Sequence, residues 1–236
     1  MSKLAAILDD MNIVHVRGTP ASGKTRLSEL LKDYYRKEGR RAFLIKRWEG
    51  LNFKNPWGSL VELVEKWNDE AQEAPTTTSQ SEQDLSWVLT SNTVIIVDEA
   101  QATYSDDTLW NTIFKERLTP NVYKFRLCLF CSYGSPAAGP DPTFFTPVKF
   151  SDEQRISLTP QNQQDSPPIG LFYDKEEFRD VISRLLTFHY EETFNFDEGA
   201  LEYIFAVTNG HPGAVTSIVD VICEVCAELS LQFFVS

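Results

Sequence analysis

The residues most able to do chemistry stand together in Gly18-Thr19-Pro20-Ala21-Ser22-Gly23-Lys24-Thr25, which meets every defined position of the pattern G-x-x-x-x-G-K-[ST]. Each residue type has a task. Gly18 and Gly23 let the backbone approach anionic oxygens closely, Lys24 brings a point charge to the β- and γ-phosphates of a nucleoside triphosphate, and Thr25 offers a hydroxyl to Mg²⁺. The predicted binding set is Gly18, Thr19, Pro20, Ala21, Ser22, Gly23, Lys24 and Thr25, with Arg26 next along the chain. The ligands this implies are ATP or GTP, together with Mg²⁺.

A second polar group closes the apolar run Val94-Ile95-Ile96-Val97-Asp98-Glu99. Read as a strand, it delivers two adjacent carboxylates to its C-terminal edge, where α/β sheets bind ligands. Downstream of a phosphate loop this is the pattern of a Walker B motif, with a plain strand-end turn as the other reading. Asp98 would hold Mg²⁺ through a water, and Glu99 would orient or deprotonate the attacking water. A carboxylate in that role favours hydrolysis or switching over phosphotransfer to a small acceptor, which needs no activated water. Ser132, or Tyr133 beside it, follows a later apolar run, where a polar side chain would sense the γ-phosphate; an ordinary loop hydroxyl is the alternative. Arg155, in Asp152-Glu153-Gln154-Arg155, would reach a phosphate or a neighbouring subunit's nucleotide, against the reading of a surface arginine. The predicted catalytic set is Lys24, Asp98, Glu99, Ser132 and Arg155, with Thr25 and Asp98 on the metal. His15 and His189 read as core or surface residues, not ligands.

These residues need elements to position them. Asn12 to Val16 is a β-type run that breaks into the glycine-bearing loop, and a helical stripe of Leu27, Leu30, Leu31 and Tyr34 follows, stopped by Gly39. A strand preceding the loop and a helix leaving it aim backbone N–H groups and the positive helix end at an anion. Ala42 to Ile45 reads as a buried strand, and Asn55-Pro56 opens a helix carrying Leu60, Leu63, Val64 and Trp67. After the polar stretch Ala74 to Gln83, expected to be an exposed loop, come the Val94 strand and a helix capped within Ser105 to Asp107 that buries Leu109, Trp110, Ile113 and Phe114. Phe125 to Cys131 and Ile156 to Leu158 supply the fourth and fifth strands, separated by a Gly- and Pro-rich loop from Tyr133 to Pro147. Strands alternating with amphipathic helices predict a three-layer α/β fold with a five-stranded, mainly parallel sheet.

Past the loop Thr159 to Pro168 the pattern becomes wholly helical. Asp174 and Glu177 form a capping box ahead of Phe178, Val181, Ile182, Leu185 and Leu186. A second helix runs from Asp197 through Leu201, Ile204 and Phe205, and a third from Pro212 through Val215, Ile218, Val219, Ile222 and Val225. Residues 1–170 are thus expected to form the nucleotide-binding domain and 171–236 a small helical subdomain.

With 22 basic against 34 acidic side chains, the net charge of −12 repels phosphate backbones and anionic membranes on average, which argues against nucleic-acid binding. The basic group Arg36, Lys37, Arg40 and Arg41 reads as cations placed at a helix C-terminus. The apolar runs fall short of the roughly 20 residues that cross a bilayer, and Met1 to Asp10 lacks the apolar core of a signal peptide, so an intracellular, cytoplasmic or nuclear location is expected. Cys128-x-x-Cys131 and Cys223-x-x-Cys226 resemble a four-thiolate zinc site on paper. Strand periodicity sends the first pair to opposite faces, which favours buried structural thiols in a reducing compartment.

Together with the two nucleotide motifs, Thr208-Asn209-Gly210-His211-Pro212-Gly213-Ala214-Val215 resembles the STAND and Orc-like branches of the AAA+ P-loop NTPases. In those proteins a Gly-x-Pro turn opens a lid helix, which implies that Pro212 lies against the base or sugar with His211 nearby; a simple helix-start turn is the other reading. More closely, Arg17 to Thr25, Asp98-Glu99-Ala100-Gln101, Phe130-Cys131-Ser132-Tyr133-Gly134-Ser135 and Asn209-Gly210-His211 are similar to NTPase modules of fungal crinkler-type proteins. The STAND-type arginine at the end of the fourth strand is replaced here by Cys131-Ser132-Tyr133. The resulting expectation is an ATP-driven switch or slow ATPase whose helical lid responds to nucleotide. The alternatives are a non-catalytic nucleotide-binding module that presents a surface to another protein or to a second copy, the NTPase part of a crinkler-type effector, and a small-molecule phosphotransferase.

Overall fold

The computed structural model describes residues 1–68, 88–117, 124–132, 150–159, 169–190 and 195–234. The expected loops at 74–83 and 133–147, most of the one at 159–168, Tyr133, and the side chains of His189 and of residues 231–236 lie outside the described residues. The chain makes two compact units, Met1–Thr19 with Lys24–Ile169 and Pro20–Gly23 with Gly170–Ser236.

In the first unit, strands β1 (Ile13–Arg17), β2 (Arg41–Ile45), β3 (Thr93–Val97), β4 (Arg126–Cys131) and β5 (Arg155–Ser157) form one sheet in the order β2-β3-β4-β1-β5. Every neighbouring pair is parallel. Such a sheet is buried on both faces, which is why its strands read as unbroken apolar runs without alternation. Helices α1 (Ser2–Met11) and α2 (Lys24–Lys37) pack on one face. The other face is covered by α3 (Pro56–Lys66) and by a π-helical turn (Thr108–Ile113) that runs into α4 (Phe114–Arg117).

Local chemistry accounts for several boundaries. Asn55 Oδ1 accepts from the Gly58 N–H at 3.1 Å, with Pro56 at the first helical position of α3. At the end of α2, Gly39 takes φ +74°; its N–H bonds the Arg36 carbonyl and the Arg40 N–H bonds the Tyr35 carbonyl, a Schellman closure. Asp106 is the member of the Ser105–Asp107 group that caps: Oδ1 accepts from the Leu109 N–H at 3.1 Å, while Oδ2 ties down Trp48 Nε1 and the Leu51 N–H. The four residues expected to be buried after it, Leu109, Trp110, Ile113 and Phe114, are all in the core.

One element was not anticipated and two expectations need correction. Residues 2–11, where the apolar pattern gave no element, form α1, which buries Leu4, Ala5 and Leu8. The buried stripe of α2 is Leu27, Leu31 and Tyr35, not the Leu30 and Tyr34 side: Leu30 is 41% exposed, and Tyr35 reaches across to the Ala5 carbonyl and Asp9. The cause is Tyr35's hydroxyl, which finds acceptors on α1. In the last helix Val225 is 49% exposed, while Cys223 takes the buried position.

The second unit contains α5 (Lys175–Tyr190), α6 (Glu198–Thr208) and α7 (Pro212–Phe234) around Phe178, Ile182, Ile204, Val215 and Val219. The capping box is reciprocal: Asp174 Oδ1 accepts from the Glu176 and Glu177 N–H groups, and Glu177 Oε2 accepts from the Asp174 N–H at 3.0 Å. Asp197 caps α6 through the Ala200 N–H at 2.7 Å. Among the described residues no helix is long and apolar enough to cross a membrane. All four cysteines are free thiols; Cys131 shares a core with Leu127 and Leu129 while Cys128 faces the other side of the sheet. Burial pushes Cys131 up to about 12 and Cys128 well above the usual thiol range, which keeps both protonated and unreactive.

His15 lies inside the sheet core, fully buried and stacked on Phe150 with ring centroids 5.4 Å apart. Its Nε2 bonds the Tyr104 hydroxyl at 3.1 Å. Burial, then the Arg17 and Arg155 charges, lower its pKa to about 3, so it is neutral in the folded protein. Below pH 6.5 the unfolded chain takes up a proton here that the folded protein refuses until pH about 3, so stability falls as pH drops through that window. In urea unfolding, the parent protein is expected to lose about 2 kcal/mol more than His15→Phe between pH 7 and pH 5. Parallel losses in the two proteins would show that His15 protonates in the fold.

Candidate functional site

Because the strands are parallel, their carboxyl ends share one edge, and the predicted polar residues collect there. β4 lies between β1 and β3, with Arg17 opposite Cys131 and Val97 opposite Leu129. The tips of β1 and β3 are therefore two strand spacings apart, about 10 Å, and the tip of β4 fills the interval. Gly18 leaves β1, Asp98 and Glu99 leave β3, and Ser132 leaves β4 at this edge.

The loop after β1 has the backbone of an anion cradle. Ala21 takes φ +56° and Gly23 φ +92°, while α2 begins at Lys24, the kind of left-handed and right-handed succession from which backbone N–H nests are made. A Cβ on Gly23 would meet nothing closer than 3.6 Å, so the demand for glycine is conformational, not one of space. The Ser22 hydroxyl is buried with no hydrogen-bond partner among the described residues, an unpaired donor in the loop itself. In the second unit the Gly213 N–H donates to the Ala21 carbonyl at 3.1 Å, and a Cβ on Gly213 would fall 2.4 Å from Ala21 Cβ.

Lys24 is 4% exposed, and its ammonium donates to the Thr19 carbonyl at 2.6 Å and the Gly18 carbonyl at 3.3 Å. Burial lowers its pKa, while the charges of Glu99 and Asp98 push it back up. The cation therefore feels both carboxylates across the edge without being neutralised by a contact pair. Thr25 is exposed at the start of α2, and Ser28 Oγ bonds its carbonyl. Arg26 turns away, paired with Glu29, which also meets Lys46.

The two carboxylates are unlike. Asp98 is 4% exposed, and its Oδ1 accepts from the Glu99 N–H at 3.0 Å. Glu99 is exposed and adopts the left-handed conformation, φ 49° and ψ 41°, from which a 3₁₀ turn (Ala100–Thr103) departs. A non-glycine residue held there costs on the order of 1 kcal/mol or more, and such strain concentrates at functional positions. Glu99 Oε2 accepts from Ser132 Oγ at 3.1 Å and from Gln101 Nε2, and Gln101 Oε1 accepts from the Ser132 N–H at 3.1 Å.

Lys24, Asp98, Glu99 and Ser132 are thus brought together. Arg155 is not: it starts β5 opposite His15, short of the carboxyl edge, and its guanidinium is engaged by Asp152 at 2.7 Å and the Ser151 carbonyl. His211 Nδ1 accepts from the Ala214 N–H at 3.2 Å, so it caps α7, whose first residue is Pro212. The partner network of Gln101 and the Arg17 Nε, buried at the tip of β1 with no hydrogen-bond partner among the described residues, carried no spacing signal, although both residues flank the motifs.

The donor set fits a nucleoside triphosphate with Mg²⁺: inward N–H groups and an unpaired hydroxyl for phosphate oxygens, one buried ammonium, and hard oxygen ligands in Thr25 and Asp98. No family model and no curated protein matches the sequence. Among solved structures, Drosophila ORC bound to DNA is 15% identical and aligns over 92% of this chain and 56% of that chain, with a TM-score of 0.49. Two Thermotoga maritima RuvB variants are 15% and 14% identical, each over 87% of this chain and 62% of that chain, with TM-scores of 0.35 and 0.32. The chain therefore spans less than two thirds of the structures it resembles.

Two substitutions separate charge from conformation. Lys24→Ala is expected to weaken ATP binding at least tenfold in titration calorimetry; unchanged affinity would remove the ammonium from the site. Gly23→Ala is expected to lower stability by about 1–2 kcal/mol through backbone strain alone. A Gly23→Ala protein that unfolds at the parental denaturant midpoint would mean that the positive φ is not required.

Proposed function

We propose that the chain binds a nucleoside triphosphate, ATP in the first instance, with Mg²⁺ at the carboxyl edge of the sheet and slowly hydrolyses it. The observation that carries this reading is a buried ammonium, bonded to the Gly18 carbonyl just past β1, under the charge of two unlike carboxylates at the tip of β3, the second of them bonded by the Ser132 hydroxyl. Lys24 would exchange the Thr19 and Gly18 carbonyls for β- and γ-phosphate oxygens, and the loop N–H groups would hold the remaining oxygens. Mg²⁺, held by Thr25 and through a water by Asp98, would supply charge neutralisation on the phosphates. Glu99 takes a proton from a water whose oxygen bonds the γ-phosphorus, as the bond from that phosphorus to the β–γ bridging oxygen breaks and the diphosphate departs. Lys24 screens the charge that grows on the leaving oxygens.

The finer parts of the proposal concern switching and kinship. The segment 171–236 would act as a lid, the loop tip Pro20–Gly23 moving with it because the Ala21 carbonyl is bonded by the Gly213 N–H. Release of the γ-phosphate would then change the lid's position. The resemblance to STAND and fungal crinkler-type NTPase modules belongs to the same reading, as does an intracellular, reducing location for the free thiols.

Thermal-shift measurements with ATP, GTP and non-hydrolysable analogues, with and without Mg²⁺, test binding first. A ligand at a hundred times its Kd adds about 2.7 kcal/mol of stability, so a clear Mg²⁺-dependent rise is expected with ATP. Absence of any shift at millimolar nucleotide would end the proposal. Phosphate release should then fall about a hundredfold in Glu99→Gln, leaving a measurable residual rate, with binding intact; parental turnover in that variant would remove Glu99 from the chemistry.

A further inference from the structure

The polar network between the tips of β3 and β4 joins three groups that the sequence pattern does not connect. Gln101, two residues past Glu99, offers both ends of its amide: Nε2 to Glu99 Oε2 and Oε1 to the Ser132 N–H at 3.1 Å. Ser132 Oγ donates to the same carboxylate oxygen at 3.1 Å. The three residues form a closed ring of hydrogen bonds across the gap between two strands. Glu99 Oε1 accepts no hydrogen bond among the described residues.

We propose that Gln101 is a positioning residue, clamping Glu99 Oε2 to the tip of β4 so that Oε1 is the oxygen presented to the attacking water. This deepens the hydrolytic reading above and rests on it. A glutamate side chain has three rotatable bonds, and Glu99 is exposed, so without anchors its carboxylate samples many orientations. Two donors on one oxygen fix the carboxylate plane and leave the other oxygen's lone pairs for a proton. The left-handed backbone at Glu99 contributes, because it starts the 3₁₀ turn that brings Gln101 back beside the residue it serves. Ser132 gains a second role: its backbone N–H anchors the clamp while its hydroxyl completes it.

The same geometry separates positioning from binding. Gln101 contacts neither the loop Gly18–Thr25 nor Asp98 through any described hydrogen bond, so its loss should act on the chemical step alone.

The test uses the full chain and compares Gln101→Ala and Gln101→Glu with the parent. Both variants should lower kcat for Mg·ATP hydrolysis at least tenfold with nucleotide Kd changed less than twofold. In a Glu99→Gln background, Gln101→Ala should cost nothing further, since a residue acting through Glu99 has no effect once Glu99 is disabled. A readout independent of turnover is amide hydrogen exchange at Ser132, which should quicken at least tenfold in Gln101→Ala with the unfolding midpoint unchanged. Parental kcat in Gln101→Ala, or unaltered exchange at Ser132, would overturn the clamp while leaving Lys24-dependent hydrolysis standing. Absence of Lys24-dependent hydrolysis in the parent protein would instead overturn the functional reading, and the clamp with it.

Discussion

A parallel sheet covered by helices on both faces leaves polar groups one place to gather, and that constraint organises this molecule. The strand interiors, His15 apart, are aliphatic, aromatic or thiol side chains at or near zero exposure, so any titratable group within them must be neutral or leave at an end. His15 meets the first condition. Stacked on Phe150 and bonded to Tyr104, it stays uncharged between the charges of Arg17 and Arg155. Asp98, Glu99 and Ser132, each just past a carboxyl tip, meet the second, as does Lys24, whose ammonium reaches from the start of α2 back to the Gly18 and Thr19 carbonyls.

Lys24 is the costly case. Among the described residues its buried ammonium is held by two backbone carbonyls of its own loop, which accept hydrogen bonds but do not cancel its charge. Compensation comes at longer range from Asp98 and Glu99, whose charge supports the protonated form against burial. The apolar core therefore stabilises an arrangement that the loop alone would not keep. This links the packing of β1 between β4 and β5 directly to the electrostatics of the site.

Much of this was legible because it depends on local rules. The phosphate loop, the strand ending in two carboxylates, the cap at Asn55 and the capping box at Asp174 and Glu177 are set by residues within a few positions of one another, and each has the geometry its residue types demand. What escaped depends on distant partners. α1 has an ordinary stripe of Leu4, Ala5 and Leu8, but only the sheet face beneath it makes a short helix worth forming. The choice of Tyr35 over Tyr34 turns on acceptors thirty residues away in sequence, at Ala5. The displacement of Arg155 from the edge follows from Asp152, which captures it before the strand begins. Gln101 and Ser132 are likewise joined only once β3 and β4 lie side by side.

Asp98 and Glu99 show how a fold gives different tasks to adjacent side chains of the same chemistry. In a continuing strand they would point to opposite faces, each into an apolar layer. Instead the left-handed turn at Glu99 ends the strand after one buried carboxylate and swings the second outward, while Asp98 Oδ1 secures the turn by accepting the Glu99 N–H. Asp98 is thereby fixed, which suits the Mg²⁺ ligand of the proposed function, and the exposed Glu99 carboxylate is left to be oriented by Ser132 and Gln101, which suits the proposed base. The strain at that single residue is the cost of the division, and it is sustained because five parallel strands hold both of its neighbours in place.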